Sequence, residues 1–360
     1  PSDLATQALG DYAQWLEAEV RPRAKASFRL GRDRFDRKLE LDEGLACDSD
    51  RLLNIAEREL GTAQEAFRSL AGRLDSGDPV QAWRKAKEAH PAPGQLIATA
   101  QDQISALKTF LERSGVVEIP AAADVRVAQT PGFLRWTTAS LWVPGPFETK
   151  QTAATYYLTD ALRSWPEERQ IEHLRDLNLP TLWSVSMHEV FPGHFLHFQH
   201  LRRAESKVRR SMLLAPRSYI EGWAHYGEQM MIEAGFGKGN TSVQLGQLAE
   251  ALVRLARVVV GIKLHTEDWS VEQGVRFFQN EAFLEETQAR REAERGTFDP
   301  GYVVYAAGKI ALLKLRQDWQ ETHGKAGLRA FHDALLGHGS APLWALRRLM
   351  LRAHVEDVLE

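Results

Sequence analysis

Cysteine is almost missing from this chain: Cys47 is the only one in 360 residues. That excludes an intramolecular disulfide and any thiolate-rich metal cluster, so a metal here must be held by His and carboxylate. An excess of charge of one sign is missing too. With 45 Lys and Arg against 48 Asp and Glu, the formal net charge is −3, and no basic surplus favours neutralising phosphates, so nucleic acid is not an expected partner. No run approaches the roughly 20 apolar residues of a membrane span, and no charged-then-apolar leader opens the chain. A cytoplasmic protein without a membrane span is therefore expected. The first residue is Pro1 and not Met, which makes trimming of upstream sequence, a signal peptide included, the alternative expectation. Internal repeats and low-complexity tracts are also lacking. What remains is 44% hydrophobic and 26% charged residues, the balance of a globular protein able to bury a sizeable core.

Helical periodicity dominates. Leu9, Tyr12, Leu16 and Val20 recur at spacings of three and four, which predicts an amphipathic helix over Asp3 to Val20, ended before Pro22. Further helices are expected over Leu52 to Leu74 and Leu96 to Leu111, parted by the turn-like Asp75-Ser76-Gly77-Asp78-Pro79. Between Val116 and Thr159 the texture changes to short β-branched and aromatic runs punctuated by proline. Val116 to Ile119, Val125 to Val127, Leu141 to Val143 and Thr155 to Leu158 are the expected strands. Helix returns from Glu167 onward, with elements expected over Tyr219 to Ala234, Val243 to His265, Ser270 to Glu294 and Tyr302 to Thr322. The expectation is an α+β protein, predominantly α-helical, with a small sheet. Its parts are a helical residues 1–115, a sheet region 116–160 and a helical metal-binding region 161–360, in one integrated unit.

The chemistry concentrates in His188-Glu189-Val190-Phe191-Pro192-Gly193-His194. It is a near relative of the short zinc motif in which two His, four residues apart on a helix, bind the metal while the intervening Glu is general base. Here the spacing is six (194 − 188), about 600° around a regular helix and roughly 120° out of alignment. Pro192 and Gly193 supply the break that can bring His194 back, proline by removing a helix N–H and glycine by accepting unusual backbone angles. A catalytic zinc takes three protein ligands, and the third is sought in Glu221-Gly222-Trp223-Ala224-His225-Tyr226-Gly227-Glu228. Glu221 and Glu228, seven apart, share a helix face with His225. One carboxylate, with Glu221 the leading candidate, can ligate; the other can orient a ligand His from behind. Lone His and Glu residues on helices usually sit on solvated faces, and His197, His200 and His225 carry that alternative.

These segments, with Pro300-Gly301-x-x-x-Tyr305-x-x-Gly308-Lys309, resemble the bacterial proteins carrying domain of unknown function 885, which are similar to gluzincin-type zinc metallopeptidases. The resemblance extends from Phe28-Arg29-Leu30-Gly31 to Arg257-Val258-Val259-Val260 and His265. Members are often longer at the N-terminus. His225 and Tyr302 stand where the family commonly has an apolar residue and Gln, which points to a different substrate preference. The resemblance implies a peptidase-like site with His188, His194 and Glu221 on zinc, Glu189 as general base, and Tyr305, His265 or Lys309 as oxyanion donor, Tyr305 first.

Glu228, His225, Tyr226, Lys309 and Tyr156 are the expected supporting or substrate-binding residues. Thr155 to Leu158 could bind an extended peptide by strand addition. Peptide or small amide substrates are thus expected. Two His and one carboxylate also suit non-haem Fe²⁺, so an iron or zinc enzyme acting on a small amino-acid-derived molecule is the alternative. A metal-stabilised binding protein is the third, for which Glu189 would have no use.

Overall fold

The structure, a computed structural model, describes residues 2–74, 77–120, 124–150, 153–324, 327–352 and 357–359. In the first part come α1 (Ser2–Trp15), α2 (Arg32–Lys38), α3 (Ser49–Ala71), α4 (Pro79–Lys87) and α5 (Leu96–Ser114). Strands β1 (Val125–Gln129), β2 (Ala139–Trp142) and β3 (Ala154–Leu158) follow. The rest is helical: α6 (Glu167–Asp176), α7 (Leu179–Glu189), α8 (His194–Leu201), α9 (Lys207–Arg210), α10 (Arg217–Glu233), α11 (Thr241–Thr266), α12 (Val271–Glu281), α13 (Glu286–Phe298), α14 (Val304–His323), α15 (Leu328–Gly337) and α16 (Leu343–Leu351). The fold is α+β and predominantly helical.

Local chemistry sets these boundaries. Asp48 accepts from the Arg51 amide to start α3, Asn178 accepts from the Thr181 amide to start α7, and Ser270 and Gln273 form a reciprocal capping box at α12. Helix α5 ends where Gly115 takes φ 61°, a left-handed angle that glycine adopts without a Cβ penalty. Helix α11 is the axis of the molecule. Its 26 residues are buried on nearly every side, and it packs against α3, α7, α12 and α13. A helix apolar all round belongs in the middle of a core, and the hydrophobic cluster around it runs from Phe35 to Leu359.

Several expectations need correction. Val116 to Ile119 bends at Val116 and Val117 and pairs with no strand among the described residues: the Glu118 amide donates to Asp333 and the Val116 carbonyl meets His332, so side chains satisfy that backbone. The segment expected as one helix over Ser270 to Glu294 is a hairpin of α12 and α13, turned at Phe283, whose φ is 57° and whose ring packs 5.1 Å from Phe67. Helix α1 forms where the periodicity predicted it and continues in a wider turn to Val20, yet Leu4, Leu9 and Tyr12 on its apolar face stay exposed. Of the turn-like stretch before α4, residues 75 and 76 lie outside the described residues. In the sheet, β3 lies between parallel β1 and antiparallel β2, with Tyr156 opposite Val127 and Leu141. Both edges of β3 are thus already paired, so it cannot take up a peptide by strand addition.

Candidate metal centre

Helix α7 stops at Glu189 and α8 starts at His194, with the four residues between them in a break held from several sides. The Gly193 amide donates to the Met187 carbonyl at 2.9 Å, and the Phe191–Pro192 peptide is cis. The Trp223 indole of α10 donates to the Pro192 carbonyl at 2.9 Å. Gly193 is required both for an unusual backbone angle, as expected, with φ −68° and ψ −134°, and for space, since a Cβ there would overlap the His188 carbonyl. Folded back this way, the His194 ring comes within 4.7 Å of the His188 ring, nearly perpendicular to it.

Helix α10 brings the third donor. Glu221 Oε2 lies 3.4 Å from His188 Nε2 and 3.3 Å from His194 Nε2, and the three donor atoms fall within 4.8 Å of one another. Ligands about 2.0–2.1 Å from a tetrahedral ion stand about 3.3–3.4 Å apart, so both short separations suit one. Glu221 Oε2 is buried without a hydrogen bond, an oxygen that folding leaves in want of a cation. Burial opposes its charge, but the imidazoles of His194 and His188 hold the Glu221 carboxyl well below its ordinary range.

Behind His188 stands Glu228, fully buried. Its Oε1 lies 2.8 Å from His188 Nδ1, while its carboxylate also accepts from Ser184 Oγ at 2.7 Å and pairs with Arg254 Nη2 at 3.0 Å. A proton on Nδ1 directed at Glu228 leaves the Nε2 lone pair for a metal, which fixes both the tautomer and the ring plane. Burial works against charging His188, yet Glu221 and Glu228 outweigh it and raise its pKa to about 9. The residues present fit a divalent metal, which would take the His188 Nε2 lone pair in place of a proton: two imidazoles and a carboxylate, with the Glu228–Arg254 pair oriented behind one of them.

Glu189, half-buried at the last position of α7, makes no hydrogen bond or ion pair among the described residues. Tyr305 of α14 stacks against His188 with ring centroids 6.2 Å apart, and Arg295 donates to its hydroxyl at 3.4 Å. Burial and the Glu221 charge raise its pKa, which keeps the phenol a donor. Tyr156 is fully buried with its hydroxyl 3.5 Å from Ser186; burial raises its pKa, Ser186 opposes this, and the charge on Glu189 adds to it. It sits behind α7 in the core and not along a cleft.

Other expected residues lie elsewhere. His265 is buried with Nδ1 accepting from the Leu30 amide at 3.3 Å and Nε2 2.8 Å from the Gly296 carbonyl, so neither nitrogen is left for an oxyanion. The Tyr226 hydroxyl meets His332 at 2.7 Å and Arg316 at 3.2 Å in a core network. His225 approaches Glu228 at 3.6 Å, and Lys309 faces a separate cavity together with it. His197 bonds Ser340 and His200 the Glu118 carbonyl. Sequence reasoning missed Arg254 and Ser184, both of which hold Glu228. Arg254 had a signal, a charge inside the apolar run Leu252 to Ala256, and Ser184 had only its place one turn before His188. Tight packing carries Glu221 and Tyr305 together: a Cβ on Gly222 would stand 2.6 Å from the Gly308 backbone, and one on Gly308 would overlap the Ser218 carbonyl.

Comparison with known proteins bears on the whole chain. The profile of a family described as bacterial protein of unknown function, DUF885, matches residues 2–350. No curated protein matches. Among solved structures, a candidate lipoprotein of unknown function from Shewanella oneidensis superposes at a TM-score of 0.83 and 24% identity, covering 97% of this chain and 65% of that one. A candidate lipoprotein from Colwellia psychrerythraea follows at 0.80 and 21%, covering 96% and 59%. At those identities the likeness is one of fold, and this chain spans less than two thirds of either relative. A carboxypeptidase of Pyrococcus furiosus reaches a TM-score of only 0.39 at 11% identity, covering 99% of this chain and 78% of that one, and carries no argument.

Proposed function

This chain belongs to the family of bacterial proteins of unknown function DUF885, and from that premise we propose that it is a zinc-dependent hydrolase of the metallopeptidase kind, cleaving a peptide or amide bond. The observation that carries the proposal is the donor set of His188, His194 and Glu221, with His188 gripped from behind by Glu228 and an unpaired Glu189 next to it in sequence. When bound, zinc supplies Lewis acidity toward water and toward a carbonyl oxygen. Glu189 receives the proton of the attacking water and returns it to the leaving amine. The Tyr305 hydroxyl donates to the oxygen on which negative charge develops, and Arg295 steadies that hydroxyl. Ser184 and Arg254 keep Glu228 charged and in place, so that His188 presents Nε2 and no other atom. An extended peptide would have to pair with an edge strand, β1 or β2, and β2 is the one that packs beside α7.

A cell-envelope location is supported by the two candidate lipoproteins that share the fold, and the cytoplasmic location expected from the sequence finds no support. The decisive experiment is elemental analysis of the protein purified without added metal, followed by assay of wild type and Glu189→Gln on a peptide and N-acyl amide panel. One zinc per chain is expected in both proteins, with the rate falling on the order of 10²–10⁴-fold in the variant. Iron in place of zinc, or full activity in the variant, overturns the assignment.

A further inference from the structure

A cavity of about 540 Å³ opens between α3, α10, α11 and α14. It begins one helical turn beyond the centre on two helices at once: His225 follows the donor Glu221 by four residues on α10, and Lys309 follows Tyr305 by four on α14. None of His188, Glu189, His194, Glu221 or Tyr305 lines it. It lies behind the centre, because His188 turns Nε2 to the donor cluster and Nδ1 to Glu228, and His225 reaches Glu228 from the cavity side, with Nδ1 3.6 Å away. The volume is in the range of small-molecule sites, roughly 300–1,000 Å³.

Its walls are mainly aliphatic, with Leu70, Leu248, Leu255, Ile310 and Leu313 among them, but its polar groups are unbalanced. Lys309 makes no hydrogen bond or ion pair among the described residues, although Glu228, Arg254, Glu233 and Glu59 all act on it electrostatically. The two acids on the wall are engaged: Glu233 by Arg316 at 2.6 Å and Gln229 at 2.7 Å, and Glu59 by Arg58 at 3.5 Å. Gln247 is more than nine-tenths buried, and its amide nitrogen has no hydrogen-bond partner. A buried amide donor left unpaired calls for an acceptor, and the Lys309 ammonium on the same cavity wall favours one that carries negative charge.

We propose that this cavity is a second ligand site, distinct from the metal centre, that takes a small aliphatic monocarboxylate with its carboxylate on Lys309 and Gln247 and its chain among the leucines of α3 and α11. Arg73, exposed at the rim, adds to the positive charge that draws such an anion in. The apolar body supplies the affinity and the amine selects for the acid.

Calorimetric titration of the whole chain with octanoate, octanamide and octan-1-ol, before and after removal of metal by a chelator, tests this. Octanoate is expected to bind at least about ten-fold more tightly than either neutral analogue, since one charge-assisted hydrogen bond is worth about that much. This preference should survive chelation. Lys309→Met should abolish it while leaving octanamide binding unchanged, and Ala66→Trp, at an exposed position on the wall, should weaken all three without touching the core. Equal binding of acid and amide, no binding of any probe, or an unchanged preference in Lys309→Met overturns the proposal. So does octanoate binding that appears only with zinc present, because the carboxylate is then on the metal. Binding that survives chelation, conversely, stands whatever the fate of the hydrolase assignment.

Discussion

Single residues divide into those that carry chemistry and those that hold the carriers still, and Tyr305 tests the division. If its hydroxyl meets the developing oxyanion, Tyr305→Phe should lower kcat on the order of 10²-fold with KM nearly unchanged. If it only packs against His188, the variant should instead lose about 1 kcal/mol of stability and keep its rate; steady-state kinetics and a denaturant melt separate the two. Lys309 gives a prediction of pH dependence. Burial lowers its pKa from 10.5 to about 8, so the folded state resists the proton that the unfolded chain accepts. The penalty is complete below about pH 8 and fades as pH rises toward 10.5. Lys309→Met, which never charges, should therefore melt several degrees above wild type at neutral pH, with the gap closing by about pH 10.5. A gap that stays constant with pH would assign the effect to packing. The sequence made His188, Glu189 and His194 legible because a proline and glycine inside an apolar helix break a local rule. It put Tyr305 ahead of His265 but could not remove His265, since what removes it is a pair of backbone groups, at Leu30 and Gly296, 235 and 31 positions away and outside any local pattern.

Among the elements, α10 and α14 decide the geometry, and two glycines decide their distance. An alanine in the middle of a helix is ordinarily worth about 1 kcal/mol over glycine. At Gly222 the sign should reverse, because the new Cβ meets the Gly308 backbone. Gly222→Ala is expected to lose about 1–3 kcal/mol and to bind zinc more weakly, as Glu221 moves with its helix; a stabilised variant would show that the helices can part freely. Helix periods were readable along most of the chain because a broad apolar stripe marks each helix, as in α11, whose charges Glu250, Arg254 and Arg257 interrupt a mostly apolar surface. The sheet was readable as strands but not as an order. That β3 is central follows from pairing across 29 residues to β1 and 13 to 19 residues to β2, which no local pattern encodes, and for the same reason Val116 to Ile119 resembled a strand while its backbone partners are side chains of α8 and α15.

At the scale of the molecule, the metal donors and Glu228 occupy a short stretch, 188 to 228, while the helices that enclose them, α11 and α14, arrive later and extend to His323. His188 and His194 end up no more than about a tenth exposed. In time, then, the chain presents its donors before its walls. A cation captured while the chain is still folding meets donors that are not yet enclosed, whereas one offered to the finished protein must reach two nearly buried imidazoles past Glu221, the most open of the three donors at 18% side-chain exposure. Zinc present during refolding should load quickly and raise stability by about 4 kcal/mol at a thousand-fold excess over its dissociation constant. Zinc added after refolding should reach the same end point markedly more slowly, followed by stopped-flow fluorescence of Trp223 and its neighbours. Equal loading rates in the two orders of addition would mean that the centre is open throughout. The enclosure thus sets a schedule, and the moment at which the protein meets its metal becomes part of how it is made.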